Sequence, residues 1–332
     1  MAQNEKLHHA RSLKDDEFYT QYEDIEDEMQ HYKPHFNNKT IYCNCDHPDK
    51  SNFVKYFINN FSQLNLKKLI ATWHNPQGKG LLLIYDGTNK QTTQLQGNGD
   101  FRNEESLNLL KQADIVVTNP PFSLFRQYVN QLNQFNKKYI IIGNKNAISY
   151  KEIFPYIKNN QMWIGHRPFT GGMWFETDPD TQCKTTKTTN DGRFLGNVAS
   201  CWFTNLDHEG RHTPINLTKN YTPEEYPKYD NYDAIEVTKT KNIPSDYDGI
   251  MGVPITFLDK YDPDQFEIVD INPHFFSTVE QGLPKPKQLS LKNHGMKDPY
   301  ARVLIRRKPQ NQSINDTLKE FIEKSVYDYL FN

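Results

Sequence analysis

Residues 115–118 read Ile-Val-Val-Thr and run directly into Asn119-Pro120-Pro121-Phe122. A β-branched apolar run of this length forms a buried strand. Two consecutive prolines stop it, because neither carries an N–H and both hold φ near about −65°. The expectation is a strand that ends in a rigid, extended loop. Open α/β sheets bind their ligands at the carboxyl ends of such strands. The tetrapeptide also carries chemistry suited to a flat heterocycle with an exocyclic amine. Asn119 offers an amide oxygen, Pro120 a carbonyl on a residue with no N–H of its own, and Phe122 a stacking face.

The surrounding chain alternates strand and helix. A strand over 39–46 leads into a loop bearing Asp46, and Ser51 is placed to cap a helix whose apolar face is Phe53, Tyr56, Phe57, Ile58 and Phe61. Strands follow at 67–73 and, as a short insertion, at 80–85, with a turn at 97–101 and a helix around 107–110. After the tetrapeptide, Phe125, Val129 and Leu132 mark a helix and 138–143 a further buried strand. Alternation of this kind predicts right-handed crossovers and an α/β fold with a doubly wound, mostly parallel sheet. The helix expected over 22–32 closes an N-terminal segment, 1–35, and the core spans 36–164. Residues 165–250, rich in Thr, Asn, Asp, Pro and Gly, read as a loop-rich insertion and not as a second core. Strands in 251–332 are expected to return to the core, closed by a helix over 318–330.

With 332 residues, 20 Phe, 19 Tyr and 4 Trp, the chain has material for a substantial core. A net charge of −2 excludes indiscriminate nucleic-acid binding through a global positive field, while leaving room for a basic cleft. Acidic residues crowd positions 15–28, and Arg302, Arg306, Arg307 and Lys308 form the densest cationic group. The 4 cysteines follow no signal peptide, and no apolar run is long enough to span a bilayer, so a reduced, cytoplasmic setting is expected. No metal site is expected: Cys43-Asn44-Cys45 lacks the usual two-residue knuckle, and His208 and His212 read as surface loop residues.

Asn/Asp-Pro-Pro-Phe/Tyr after a strand resembles the catalytic motif of S-adenosylmethionine-dependent methyltransferases that act on planar amines. Phe18-Tyr19-Thr20-Gln21 resembles the Phe-x-Thr-Pro/Gln segment that lies over the methionine end of the cofactor in amino-DNA methyltransferases. Tyr42-Cys43-Asn44-Cys45-Asp46 stands where that family has its first-strand loop, without the usual Asp-Pro-Phe-x-Gly-x-Gly. Gly99-Asp100-Phe101 resembles the segment whose carboxylate accepts from the cofactor's adenine amine while the aromatic ring covers it. With Asp-Glu-Phe-Tyr-Thr-Gln-Tyr-Glu-Asp-Ile at 16–25, Cys-Asn-Cys-Asp-His-Pro at 43–48 and Gly-Val-Pro-Ile-Thr-Phe-Leu at 252–258, the chain resembles the EcoRI-type adenine-specific DNA modification methylases from about 15 to 308.

The resemblance implies a Rossmann-like methyltransferase core and methyl transfer from S-adenosyl-L-methionine to N6 of a flipped-out adenine in a short double-stranded DNA sequence. It assigns catalysis to Asn119, Pro120, Pro121 and Phe122, and cofactor contacts to Phe18, Tyr19, Thr20, Gln21, Cys43, Asn44, Asp46, Asp100, Phe101 and Asn119. A restriction endonuclease of the same specificity is the implied functional partner. Base reading is expected in 165–250 and 270–300, with Trp174 and Arg193 as DNA contacts and Arg302, Arg306 and Arg307 on phosphates. The rival readings are an RNA or protein-glutamine methyltransferase, and a catalytically degenerate DNA-binding protein on the same scaffold.

Overall fold

The computed structural model describes residues 19–177, 183, 185–272, 289–296 and 299–309. Its contacts divide the chain into two compact units, Met1–Arg211 and His212–Asn332. The helix expected over 318–330 lies outside the described residues, as does Phe18.

The first unit opens with β1 (Tyr19–Thr20) and α1 (Tyr22–Met29), which continues through a 3-10 turn (Gln30–Tyr32) into α2 (Lys33–Phe36). Next come β2 (Thr40–Cys43), α3 (Asn52–Asn59), β3 (Lys68–Trp73), β4 (Leu81–Tyr85), β5 (Lys90–Gln94), α4 (Glu104–Gln112) and β6 (Ile115–Thr118). The unit continues with α5 (Phe125–Gln134), β7 (Lys138–Asn144), α6 (Phe154–Lys158), β8 (Trp163–Ile164), β9 (Met173–Glu176), β10 (Thr186–Thr188), β11 (Phe194–Val198) and β12 (Ser200–Thr204).

Eight strands form one sheet in the order β5-β4-β3-β2-β6-β7-β12-β8. The four central strands are parallel, through the pairs β2–β3, β2–β6 and β6–β7. Both edges are antiparallel, so the sheet is mixed where the sequence reads as mostly parallel. One edge is the β4–β5 hairpin, whose turn is fixed by the Asp86 carboxylate accepting from the Thr88 and Asn89 backbone N–H groups. All five residues of β5, Lys-Gln-Thr-Thr-Gln, are exposed, so no apolar alternation announces this strand. At the other edge Cys201, Trp202 and Phe203 lie buried in β12, which pairs with β7.

β2 leads through α3 to β3, and β6 leads through α5 to β7 on the opposite side. The carboxyl ends of β2 and β6 therefore meet where the strand order reverses, a position that favours ligand binding. All residues of β2 and β6 are buried, as parallel strands covered on both faces require. Ile25, Met29, Tyr32, Phe53, Phe57, Val117, Ile140 and Trp202 belong to one continuous core.

A second, antiparallel sheet of the same unit has the order β1-β9-β11-β10. It joins the N-terminal segment to the 173–198 stretch, with Thr20 opposite Phe175 and Asn197 opposite Trp174. β9, β10, β11 and β12 thus belong to two sheets within a part that reads as loop-rich in the sequence. Its strands are short and interrupted by Gly and Asn, which hides them from periodicity.

The second unit carries β13 (Ile235–Glu236), β14 (Met251–Pro254), β15 (Phe266–Asn272) and β16 (Arg302–Arg307), ordered β13-β14-β16-β15. Strands expected within 251–332 are present as β14, β15 and β16, but they pair among themselves and with β13 and not with the eight-stranded sheet. Tyr229, Ala234, Leu289, Leu291 and Leu304 form a core of their own, so the reading of 165–250 as contributing no second core is corrected at Tyr229 and Ala234. Among the described residues no helix is long and apolar enough to cross a membrane.

Candidate active site

Asp46 lies just beyond the end of β2 and is 6% exposed. Its Oδ1 accepts from the Ser51 hydroxyl at 2.6 Å and its Oδ2 from the Thr118 hydroxyl at 2.5 Å. Its backbone N–H donates to the Thr72 carbonyl at 2.9 Å. Ser51 Oγ also accepts from the Phe53 N–H at 3.1 Å, which makes it the expected cap of α3. Burial pushes the Asp46 carboxyl up to about 6, against the lowering pull of the two hydroxyls.

Thr118 ends β6, and Asn119 follows it, half-buried; Pro120 is buried, and Pro121 and Phe122 are half-buried. The loop is only 119–121 long. Pro121, at φ −55° and ψ 124°, is extended, and its carbonyl accepts from the Leu124 N–H at 3.0 Å to open the 3-10 turn Phe122–Leu124 ahead of α5. The expected extended loop is therefore short and opens directly into a helical turn, since the φ of proline suits the residue just before one.

Asn44, 1% exposed, receives a hydrogen bond at Oδ1 from the Tyr128 hydroxyl, while its Nδ2 is buried without a hydrogen-bond acceptor. Phe101 packs edge-on against the same Tyr128 ring, with centroids 5.0 Å apart, and its carbonyl accepts from Gln131 Nε2 at 3.1 Å. Burial raises the Cys45 thiol pKa, and the nearby Asp46 and Asp100 charges raise it further. The Thr20 carbonyl accepts from Asn52 Nδ2 at 2.8 Å, and Thr20 Oγ1 is buried without a hydrogen-bond partner. The described parts of four motifs, around 20, 44–46, 100–101 and 118–122, are therefore knit into one neighbourhood.

The expected contact at Cys43 is corrected. Cys43 is fully buried and packs in the core, since β2 is covered on both faces. Both Asp46 oxygens accept from hydroxyls, so its carboxylate ties segments together. The Asp100 carboxylate is held below its usual range mainly by Arg102, whose Nη2 lies 2.6 Å away. Phe101 is 4% exposed and packs on Tyr128. Tyr19 is half-buried in β1, and Gln21 Oε1 accepts from Arg193 Nη1 at 2.8 Å. Sequence reasoning missed Tyr128, Asn52 and Thr118; only Thr118, as the residue before Asn119, carried a local signal.

Of the expected DNA contacts, Arg193 also donates to Asp191 at 2.8 Å, and Lys187 Nζ sits 4.3 Å from the Trp174 ring centre. Arg302 is largely buried in a bidentate pair with Glu236, at 2.6 Å for the closest contact, and Glu236 also accepts from Tyr229. This corrects the phosphate reading of Arg302, because a guanidinium committed to a buried carboxylate is not presented to a ligand. Arg306 and Arg307 pair with Glu267 and Asp248, at 2.9 and 2.8 Å.

His208 is 8% exposed, with Nε2 3.2 Å from the Ile164 carbonyl, so its surface reading is also corrected. Among the described residues, one group of three metal-ligating side chains comes together, His31, His166 and Glu209, with ligand atoms within 4.8 Å. The two rings are stacked at 3.4 Å and 15°, so their in-plane lone pairs run side by side and do not converge on one point. Glu209 instead lies 2.5 Å from His31 Nδ1.

The family described as adenine-specific methyltransferase EcoRI matches residues 6–308. The type II methyltransferase M.EcoRI of Escherichia coli is 45% identical over 332 residues, covering 92% of this chain and 98% of that one. The type II methyltransferase M.MgeORF184P of Mycoplasma genitalium is 41% identical, covering 91% and 99%. M.MpnI of Mycoplasma pneumoniae, also a type II methyltransferase, is 37% identical, covering 90% and 97%. No solved structure matches the chain.

Proposed function

We propose, for a chain that belongs to the family of the adenine-specific methyltransferase EcoRI, methyl transfer from S-adenosylmethionine to N6 of an adenine flipped out of a short duplex DNA sequence. The observation that carries this reading is the convergence of the motif segments on the carboxyl ends of β2 and β6. Reversal of strand order between those strands supports reading the sheet as a Rossmann-like core wound in both directions.

Asn119 Oδ1 and the Pro120 carbonyl accept the two N6 hydrogens, which draws the nitrogen lone pair out of conjugation with the ring. Phe122 stacks on the base, and Pro121 holds the spacing between acceptor and ring. The cofactor supplies a methyl group made electrophilic by its sulfonium. Tyr19, Thr20, Gln21, Asn44, Asp100 and Phe101, with Phe18, hold it. The residues fit such a group: Asn44 Nδ2 is a buried donor without an acceptor, and Thr20 Oγ1 a buried hydroxyl without a partner, both suited to a ligand rich in oxygens and amines. No strong base is needed, because the proton leaves after nitrogen becomes cationic. The work is positioning and electrostatic preorganisation. Trp174 and Arg193, with other side chains of 165–250 and 270–300, read the DNA. A restriction endonuclease of the same specificity, working with this chain in the cytoplasm, completes the system.

Tritiated methyl transfer to duplex DNA, RNA and protein tests the reading, with label expected in DNA as N6-methyladenine. Asn119→Ala should lose turnover by about three orders of magnitude while DNA binding by gel shift persists. An active Asn119→Ala enzyme would sink the assignment.

A further inference from the structure

The ladder between β2 and β6 consists of two pairs, Ile41 with Ile115 and Tyr42 with Val116. On that side β6 runs on two residues, to Thr118, without a strand partner. On its other side Thr118 still pairs with Ile141 of β7. Across the gap toward β2, Asp46 takes the Thr118 hydroxyl at 2.5 Å and the Ser51 hydroxyl at 2.6 Å, and the Cys45 thiol also hydrogen-bonds Thr118. Asp46 is itself anchored on β3 by its N–H on the Thr72 carbonyl, 2.9 Å away. Asp46 thereby links the end of β3 through its N–H, and the start of α3 and the end of β6, one residue before Asn119, through its carboxylate.

We propose that Asp46 and Thr118 are positioning residues for methyl transfer, fixing the backbone from which the Asn119 amide and the Pro120 carbonyl reach the two hydrogens of a single amine. The proposal rests on the functional reading above. Those two acceptors sit on adjacent residues, so a rotation or shift of the chain at Thr118 moves both. A displacement of about 1 Å in such an arrangement costs on the order of a hundredfold in rate. The tie also departs from what stability alone favours, since a carboxylate at 6% exposure held by two hydroxyls bears a desolvation cost that an amide in its place avoids.

The test is steady-state methylation of duplex DNA by the full chain, with kcat and both KM values measured for wild type, Asp46→Asn, Thr118→Val and Thr118→Ser. Thermal unfolding of each variant is followed in parallel. Thr118→Val should lower kcat roughly tenfold to a hundredfold with both KM values within about twofold of wild type. Thr118→Ser, which keeps the hydroxyl, should restore most of the rate. Asp46→Asn should lower kcat in the same way without lowering the melting temperature. A raised KM for S-adenosylmethionine at unchanged kcat in Asp46→Asn would make Asp46 a cofactor contact and overturn the proposal. So would wild-type kcat in Thr118→Val, or a Thr118→Ser enzyme as slow as Thr118→Val. If Asp46→Asn does not fold, the two Thr118 variants decide alone. Failure of the wild-type chain to methylate DNA would instead overturn the functional reading, and the proposal with it.

Discussion

At Asp46 the balance of burial against hydrogen bonding is visible in a single side chain. Two hydroxyl donors pull its pKa down and burial pushes it up to about 6, so burial wins. The sign for stability follows. A carboxyl that titrates near 6 when folded and near about 3.9 when unfolded binds its proton more tightly in the folded state, so stability falls as pH rises from about 4 to about 6. The penalty is complete above that window and is on the order of 3 kcal/mol. Asp46→Asn should therefore be more stable than wild type by urea unfolding at pH 8, and the advantage should vanish at pH 4. A variant more stable but slower in methyl transfer separates positioning from structural support. Ser51→Ala removes both the α3 cap and one Asp46 partner, and should cost about 1–2 kcal/mol in the same unfolding assay. At this scale Asn119-Pro120-Pro121-Phe122 was legible in the sequence. The Asn44–Tyr128 bond was not, because its partners lie 84 positions apart and neither residue type announces the other.

The turn at 97–101 shows how an element carries a site. Gly99 has φ +82°, and a Cβ there would stand 2.4 Å from the Trp73 carbonyl oxygen. Both facts demand glycine, and the turn holds Asp100 and Phe101 beside the β2–α3 loop. Gly99→Ala should destabilise the chain by about 1–3 kcal/mol and weaken S-adenosylmethionine binding by calorimetry. Gly97→Ala, where φ is not positive and the nearest atom to a new Cβ is the Asn103 side-chain nitrogen at 3.3 Å, should cost less than Gly99→Ala in both measurements. Helices with a strong apolar stripe were readable: the buried residues of α5 are Phe125, Tyr128, Val129 and Leu132, and three of these mark the helix in the sequence. β5 was not readable, since its five residues are polar and exposed, and backbone pairing with β4 needs no apolar signal.

For the whole molecule, the second unit has its own sheet and core, so its arginines divide by burial and not by position along β16. Arg302 is 13% exposed against a Glu236 carboxylate that is 1% exposed, and removing one partner strands the other charge. Arg302→Ala should cost about 3–5 kcal/mol of stability, read as a lowered unfolding midpoint. Arg306→Ala, whose pair with Glu267 is 47% and 44% exposed, should change stability by less than about 1 kcal/mol, so any loss of DNA affinity in that variant reports on DNA contact. Order along the chain, strand endings and caps were determined by the sequence alone, because proline geometry, side-chain period and capping act over a few residues. Thr118 ends a strand, Ser51 starts a helix, and the amine-binding groups follow at 119–122. Only the tertiary structure decided that β12 joins the core sheet, that β14–β16 build a sheet elsewhere, and that Asp46 grips Thr118 across 72 positions. An apolar run specifies that it will be buried, but backbone ladders accept any strand as a neighbour. Partners are chosen by packing of the whole chain.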